Sequence, residues 1–335
     1  MDLSKIDREL VFINKKAQPS NPTPVNFGEE KKKVMKDRFY NPQFKYSEIR
    51  SDLLEAERRL RKFKPDNSVF GRLLNQKIEE FTTQINLIKN YGKSLFTNYS
   101  IKWYKKPPQE IVNKAKELIR LKHEDNSISH TTISAVKKFT DILNEYGLKY
   151  NVIERELIVG ANFDIAHRML YINKNKKFTE NEIRRLIVHE IKTHILRSEN
   201  GKKQRYKLFI IGFPYYLITE EGLAVYNEEK EGFLTNDVLK RYAGRVIAID
   251  LALKNSFSYV YNYLSEYFDK EEAFLLTSRA KRGLSDTSRP GAFTKDHLYL
   301  SGYYRIKNFV KSDGNISNLY IGKIGTEHVK LLNYI

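Results

Sequence analysis

Residues 186–194 read LIVHEIKTH, with two histidines five positions apart and a glutamate directly after the first of them. The chain has only seven histidines, so a His-Glu-x-x-x-His match should arise by chance on the order of 0.01 times. Two helix histidines could still be ordinary polar residues on a solvated face. The spacing nevertheless favours a metal site. The gap between the two histidines is one residue longer than in the common zincin pattern.

A second acidic motif, EEGLA at residues 220–224, provides the carboxylate that such a site needs. A catalytic zinc ion takes three protein ligands and keeps a fourth position for water, whose pKa it lowers to about 7. A glutamate beside the first histidine can take the proton of that water. The sequence thus predicts that His189, His194 and Glu221 bind one Zn2+ ion and that Glu190 is the general base.

The motif is expected on a helix, because Thr179 and Glu182 form a Thr-x-x-Glu capping box and apolar residues follow at helical spacing. An α-helix advances about 100° per residue, so a five-residue gap separates His189 and His194 by roughly 140°. A π-bulge or a kink would return both rings to one face. We therefore expect a distortion between Ile191 and His194, and a straight α-helix there would contradict the metal site.

The stretch from Phe178 to Glu228 resembles a family of metallopeptidases that includes the microtubule-associated tyrosine carboxypeptidases. Its bacterial members carry the name flavohemoglobin expression-modulating QEGLP motif proteins. The family hallmark is His-Glu-x-x-x-His followed by Gln-Glu-Gly-Leu-Pro. Residues 220–224 match the second motif with Glu for Gln and Ala for Pro, so the metal role carries over to Glu221 rather than Glu220.

Two further stretches are similar to this family. Residues 286–296, DTSRPGAFTKD, resemble its downstream signature, and residues 41–46, NPQFKY, resemble its N-terminal segment. Lys192 is a departure, because a small residue is usual there. The resemblance covers most of residues 38–325. It implies a zincin-like carboxypeptidase that removes a C-terminal residue, an aromatic one in the eukaryotic members.

An enzyme that removes a C-terminal residue needs cationic groups near the metal to receive the free α-carboxylate. The candidates are Arg282, Arg289 and Lys295, since a guanidinium can bind a carboxylate through two hydrogen bonds. Tyr299 and Tyr303 could donate a hydrogen bond to the oxyanion that develops on the scissile carbonyl. Each of these five could instead be an ordinary surface residue, because Lys and Arg are abundant throughout the chain.

Glu228 follows Glu221 by seven residues, which is about two helical turns along the same face. Its carboxylate could orient one of the ligand histidines. A solvated charge is the alternative.

Three functions are compatible with these motifs. The first is a zinc-dependent metallocarboxypeptidase that acts on the C-terminus of a protein or peptide. The second is a non-catalytic regulatory or binding protein with a structural metal site, against which the intact Glu190 argues, because a structural site needs no base. The third is an endopeptidase with the same zinc chemistry, which would need no carboxylate receptor.

Composition limits the remaining classes. The 335 residues include no cysteine, which excludes disulfides and thiolate ligands and suits a reducing compartment. No apolar run approaches the roughly 20 residues that span a bilayer. Residues 1–9 are charged and lack the apolar segment of a secretory signal. We therefore expect a cytoplasmic protein without a membrane span.

The net charge of +18 comes from 59 Lys and Arg against 41 Asp and Glu. Such an excess could attract an acidic partner surface. It could equally belong to a lysine-rich, solvated surface, because the basic residues are spread along the chain. No known nucleic-acid motif accompanies them, so nucleic acid is not an expected partner. The oligomeric state cannot be inferred.

The patterning predicts a mostly helical α+β fold. Residues 1–37 carry three prolines and a charge run and are expected to form an extended or loosely ordered arm. Residues 38–122 are expected to form an N-terminal helical accessory portion. Residues 123–335 are then the zincin-like metallopeptidase catalytic domain.

Within that domain, strands are expected at residues 150–155 and 168–173, in a small sheet packed on the helix with the histidines. Helices are expected at the ranges 219–230, 236–254, 257–267 and 270–281.

Overall fold

The computed structural model describes residues 2–17, 22–48, 51–122, 129–130, 132–156, 160–164 and 167–335. Most of these residues are helical. The helices that precede the histidine motif are α1 Leu3–Ala17, α2 Phe27–Lys36, α3 Ser51–Leu60, α4 Val69–Lys89, α5 Phe96–Tyr104, α6 Gln109–Leu118 and α7 Thr132–Glu145.

The strands form two small sheets next to α7. The first pairs β1 Ser129–His130 with β5 Phe178–Thr179 in antiparallel register. In the second, β4 Met169–Asn173 lies between β2 Asn151–Arg155, to which it is parallel, and β3 Ala161–Asp164, to which it is antiparallel. Strands β2 and β4 confirm the two predicted strands, and the mostly helical α+β class is confirmed with them.

The histidine motif lies on a helix that changes its hydrogen-bonding register. α8 Glu180–Leu186 begins after Thr179, and the predicted capping box between Thr179 and Glu182 is confirmed. A π-helix, Ile187–Ile195, follows, and α9 Leu196–Lys202 ends the element. In a π-helix each N–H donates to the carbonyl five residues earlier, so side chains five apart share a face. The predicted distortion is confirmed, and it extends over nine residues.

The helices after the motif are α10 Leu208–Ile211, α11 Leu217–Lys230, α12 Asn236–Ala252, α13 Phe257–Leu264, α14 Lys270–Lys281 and α15 Leu298–Lys311. Short 3-10 helices lie at Lys295–His297, Ile316–Ile321 and Thr326–Tyr334. Helices α11 to α14 confirm the four predicted helical ranges, whereas α15 was not predicted. No helix within the described parts of the chain is long and apolar enough to cross a membrane.

The expected extended arm at residues 1–37 is wrong, because most of its described residues form α1 and α2. Ile6, Leu10 and Ile13 recur at helical spacing on α1 and are fully buried. Pro22 and Pro24 lie between the two helices, where they interrupt no helical hydrogen bond. The buried carboxylate of Asp7 accepts the backbone N–H groups of Lys207 and Leu208, which fixes α1 to the start of α10.

Three apolar cores lie among the described residues, and two of them position the motif helix and the helices around it. The larger one includes residues from α1 through to Ile324, so helices before and after the motif share it. The smaller core joins β4 of the sheet to α7 and to the apolar face of the motif helix, including Ile187, Ile191 and Ile195. This second core packs the sheet against the helix that carries the histidines. The domain boundary at residue 122 stays a prediction.

Helix α11 touches α15 at a pair of glycines. A Cβ added to Gly222 would lie 2.1 Å from the carbonyl carbon of Gly302, and one added to Gly302 would lie 2.1 Å from the Ile218 oxygen. Only glycine permits this backbone approach, because the colliding atoms are backbone rather than flexible side chain. The contact fixes the position of Gly222 and therefore of the adjacent Glu221.

We expect Gly302→Ala to lower the thermal stability of the protein. Overpacking costs about 1–3 kcal/mol, which offsets the gain of roughly 1 kcal/mol that alanine brings to a helix interior. Gly28→Ala on α2 is the control, since its Cβ would meet nothing within 4 Å. Thermal unfolding of both variants tests this, and a melting temperature of Gly302→Ala at or above that of Gly28→Ala would contradict the close packing.

Candidate metal centre

Two elements bring the predicted ligands together. The π-helix presents both histidine rings on one side, with centroids 4.9 Å apart. Helix α11 packs against it and places Glu221 opposite. The Glu221 Oε2 lies 3.6 Å from His189 Nε2 and 3.8 Å from His194 Nε2. One ligand atom of each of the three residues can therefore be chosen so that all lie within 4.8 Å of one another.

The arrangement fits a divalent cation. Two imidazoles and a carboxylate are the donor set of a catalytic zinc site. Ligand atoms about 2.1 Å from a tetrahedral ion lie roughly 3.4 Å apart, close to the separations from Glu221 Oε2 to the two Nε2 atoms. That oxygen is buried and has no hydrogen-bond partner among the described residues. A cation would satisfy it, which a packed protein core otherwise requires of buried polar atoms.

His189 is held by a second carboxylate of α11. Its Nδ1 lies 2.6 Å from the Glu228 Oε1, which also accepts from Arg185 at 3.0 Å and from the Tyr242 hydroxyl at 3.2 Å. Glu228 is fully buried, so the alternative of a solvated charge is wrong. A hydrogen on Nδ1 leaves the lone pair of Nε2 facing Glu221, as metal-binding histidines require.

His194 is oriented in the same way by Glu220, the residue before the predicted ligand. Its Nδ1 lies 3.0 Å from the Glu220 Oε1, and the other oxygen of this carboxylate accepts from Arg197. The fully buried Arg197 guanidinium also donates to the backbone oxygens of Leu319 at 2.9 Å and Ile324 at 2.6 Å. The two neighbouring glutamates thus have different positions, with Glu220 behind the histidine and Glu221 in front of it.

The electrostatic field in this pocket favours positive charge. Burial disfavours a charged imidazole, but the carboxylates of Glu221 and Glu228 outweigh it and raise the pKa of His189 to about 10. Burial would raise the pKa of Glu221, but His189, His194 and Lys295 lower it to about 2. The carboxylate is therefore ionised at neutral pH, which suits a metal ligand.

Glu190, the predicted base, is half-buried beside His189. Its carboxylate makes no hydrogen bond or ion pair with the residues that the structure describes. It contributes negative charge near His189 without being held by a partner. A carboxylate in this state is free to accept a proton.

Two of the five predicted substrate residues lie close to the ligands. The Tyr299 ring stacks on the His189 ring with centroids 6.0 Å apart. Lys295 lies near enough to Glu221 for their charges to interact, although burial lowers the pKa of this amine. The Arg282 Nη2 lies 3.4 Å from the Asp296 Oδ1. Asp296 is buried and also accepts from Arg279.

The structure does not bring Arg289 and Tyr303 to this place. The Arg289 side chain is 80% exposed and pairs with Asp286 at 3.3 Å. The Tyr303 hydroxyl donates to Glu229 at 2.5 Å and accepts from Lys307 at 3.0 Å. Local partners already engage both groups in this structure, and their contact with a substrate stays a prediction.

Arg245 of α12 is a site residue that the sequence did not indicate. Its guanidinium carbon lies 4.5 Å from the centre of the Tyr299 ring and 5.0 Å from that of Tyr242. The buried Nε of Arg245 has no hydrogen-bond partner among the described residues. No motif surrounds it in the sequence, since it is one arginine within an ordinary helical pattern.

Comparison with known proteins gives a family. The family model described as microtubule-associated tyrosine carboxypeptidase matches residues 33–335. Microtubule-associated tyrosine carboxypeptidase 1 of Mus musculus is 26% identical over a 332-residue alignment, and the match covers 92% of this chain and 60% of the relative. The Homo sapiens protein of that name is 36% identical over 129 residues, 36% of this chain and 26% of the relative.

Putative tyrosine carboxypeptidase MATCAP2 of Mus musculus is 31% identical over 194 residues, 53% of this chain and 36% of the relative. The chain thus spans at most about 60% of the length of these relatives.

We expect the purified protein to retain one Zn2+ ion after dialysis, and His189→Ala or Glu221→Ala to retain less than about a tenth of that, because three ligands are needed for tight binding. Elemental analysis of the dialysed proteins measures this. His167→Ala is the matched control, since that imidazole is 77% exposed and, among the described residues, pairs with Asp164 alone. Equal zinc content in His189→Ala and His167→Ala would contradict the site.

Proposed function

The chain belongs to the microtubule-associated tyrosine carboxypeptidase family, and on that premise we propose that it is a zinc-dependent metallocarboxypeptidase. It would remove the C-terminal residue of a protein or peptide, with an aromatic residue preferred, as the relatives' name implies. The observation that supports this most is the convergence of His189, His194 and Glu221 around the unpartnered Glu221 Oε2, with Glu190 beside them.

A zincin-like core is part of the proposal. In this arrangement a small sheet packs on the helix that carries two histidine ligands, and the next long helix provides a glutamate. The sheet β2–β4–β3, the π-helix and α11 are compatible with that plan. The packing of β4 and the motif helix in one apolar core supports this part of the proposal.

The proposed reaction is hydrolysis of the last peptide bond. His189, His194 and Glu221 would hold the zinc ion, which supplies a water of lowered pKa and polarises the carbonyl. Glu190 takes one proton from the water as the oxygen bonds to the carbonyl carbon. It then returns that proton to the leaving amine as the C–N bond breaks, so water is added across the bond. Glu220 and Glu228 keep the two imidazoles in the required tautomer.

Tyr299 is the candidate for stabilising the developing oxyanion. Burial and the charge of Glu221 raise the pKa of its hydroxyl well above the ordinary value. The group therefore keeps its proton at neutral pH and remains a hydrogen-bond donor. Its ring is fixed between His189 and Tyr242, whose rings both stack against it.

An excess of positive charge next to the ligands supports a preference for a free C-terminus. Arg245, Arg279, Arg282 and Lys295 surround the single buried carboxylate of Asp296 and the nearby Glu221. The buried Nε atoms of Arg245 and Arg282 have no hydrogen-bond partner among the described residues. Buried cations without enough anions are costly, and a substrate carboxylate would complete the set. We assign Arg245, Arg282 and Lys295 to its recognition.

The net charge of +18 supports an acidic surface on the protein that presents this C-terminus. A cytoplasmic location and the absence of nucleic-acid binding stay predictions.

We expect Glu190→Gln to keep its zinc and to lose activity by about 100- to 10,000-fold, the usual range for a removed general base. Mass spectrometry of a peptide library incubated with zinc-loaded protein measures the products. The wild-type protein should shorten free C-termini by one residue, whereas internal cleavage would identify an endopeptidase. An inert wild-type protein that binds zinc would favour the non-catalytic alternative. Normal cleavage by Glu190→Gln would remove Glu190 from the mechanism.

We expect Arg245→Met to raise KM for peptides with a free C-terminus by about 10- to 100-fold, because a charged hydrogen bond contributes about 1.5–3 kcal/mol. Arg289→Met is the matched control, since its exposed side chain should leave KM unchanged. Steady-state kinetics with free and C-terminally amidated peptides measures both. A larger effect of Arg289→Met, or equal cleavage of amidated peptides by the wild-type protein, would contradict the receptor.

A further inference from the structure

A strap of residues 319–324 lies across the motif helix and fixes it in several places. The Arg197 guanidinium donates to two backbone oxygens of the strap, those of Leu319 and Ile324. The Asn200 amide donates to the backbone oxygen of Tyr320 at 2.9 Å. The Tyr320 hydroxyl donates in turn to the backbone oxygen of Lys192 at 3.1 Å. The strap therefore contacts both the π-helix and α9.

The contact at Lys192 is made where the helix changes register. The Leu196 N–H is shared between the Ile191 oxygen, five residues back, and the Thr193 oxygen, three residues back, and does not donate to the Lys192 oxygen, four residues back. An α-helix would use the Lys192 oxygen for that bond. The Tyr320 hydroxyl donates to this oxygen, which lacks the α-helical bond from the Leu196 N–H.

A second hydroxyl stabilises the other side of the same turn. The buried Thr193 hydroxyl donates to the Val188 oxygen at 3.0 Å, which is again a five-residue step. The amide of Asn227 on α11 donates to the Thr193 Oγ1 and to the Tyr320 hydroxyl oxygen, both at 2.8 Å. Tyr320, Asn227 and Thr193 thus form one network that joins the strap, α11 and the π-helix.

The strap is also linked to His194 through Arg197 and Glu220. Arg197, held by the strap oxygens, pairs with Glu220, and Glu220 orients the His194 ring. The contact of Tyr320 with Lys192 therefore acts on the backbone register that brings His194 to the face of His189. The contacts from Arg197 through Glu220 act on the direction of the His194 ring.

We propose that the strap is a positioning element of the metal centre, in which Tyr320 holds the π-register and the strap backbone holds Arg197. The inference rests on the proposed zinc site, because its effect is read as zinc affinity. Without these contacts the helix would gain α-helical hydrogen bonds at the expense of the histidine geometry. Tyr320, Asn227 and Thr193 are positioning residues, since they act through the ligands rather than on the substrate.

The test is Tyr320→Phe, which removes one hydroxyl and keeps the ring. We expect zinc affinity, measured by competition with a chromophoric chelator, to fall about tenfold, the lower end of the range for groups that support metal ligands. The visible absorption spectrum of the cobalt-substituted protein should shift, because it reports the coordination geometry. Thr193→Val should change both quantities in the same direction.

Tyr46→Phe is the matched control. The Tyr46 hydroxyl also donates to a backbone oxygen, that of Leu284 at 3.2 Å, and accepts from the N–H of Gly283. Its loss should lower the melting temperature of the metal-free protein about as much as the loss of the Tyr320 hydroxyl. It should leave zinc affinity and the cobalt spectrum unchanged, which separates positioning from general stability.

Three results would overturn the inference. Wild-type zinc affinity in both Tyr320→Phe and Thr193→Val means that the strap does not position the site. Equal loss of affinity in Tyr320→Phe and Tyr46→Phe means that the effect is general destabilisation. If the wild-type protein binds no zinc, the proposed function fails and the inference fails with it.

Discussion

Side chains five residues apart diverge on an α-helix, and the candidate metal centre depends on how this chain avoids that divergence. Residues Ile187–Ile195 follow π-helical hydrogen bonding, a form that accounts for well under 1% of residues in globular proteins. The Lys192 oxygen lacks its α-helical bond from the Leu196 N–H and accepts from the Tyr320 hydroxyl, and the Thr193 hydroxyl adds a bond to the Val188 oxygen. Side chains of the motif itself and of a distant segment thus contact the unusual backbone.

The site is also held by polar and charged side chains of two helices, which pair with one another. Arg185, His189, His194 and Arg197 come from the motif helix, and Glu220, Glu221 and Glu228 come from α11. Removing one partner of a buried pair typically costs 3–5 kcal/mol, because the other charge is left uncompensated. The same ion pairs that orient the histidines therefore join the two helices. At Gly222 the backbone contact with α15 further restricts the position of α11, and with it the backbone of Glu221.

The arginine that lies in the candidate site is not the one that the family-like stretch indicates. Arg289 belongs to a stretch that resembles the family, yet Asp286 lies three residues earlier and pairs with it at the surface. Arg245 belongs to no motif and lies against Tyr299. A stretch of similar sequence identifies the region of a site. Which of its cations face inward depends on the direction of each side chain, and that is set by packing.

The sequence by itself determined what local patterns encode. The capping box, the histidine spacing and the distortion it requires depend on residues within one or two turns, and so do the helical ranges of α11 to α14. The sequence does not indicate the helices at residues 3–17 and 27–36, because the three prolines and the charge run of this region favour an extended arm.

Only the tertiary structure decided the partners of the histidines. Glu228 is 39 residues from His189, and the strap oxygen of Leu319 is 122 residues from Arg197. Such pairs form because packing removes both groups from water and leaves each within reach of the other as a partner. Local sequence patterns do not show which residues packing brings together.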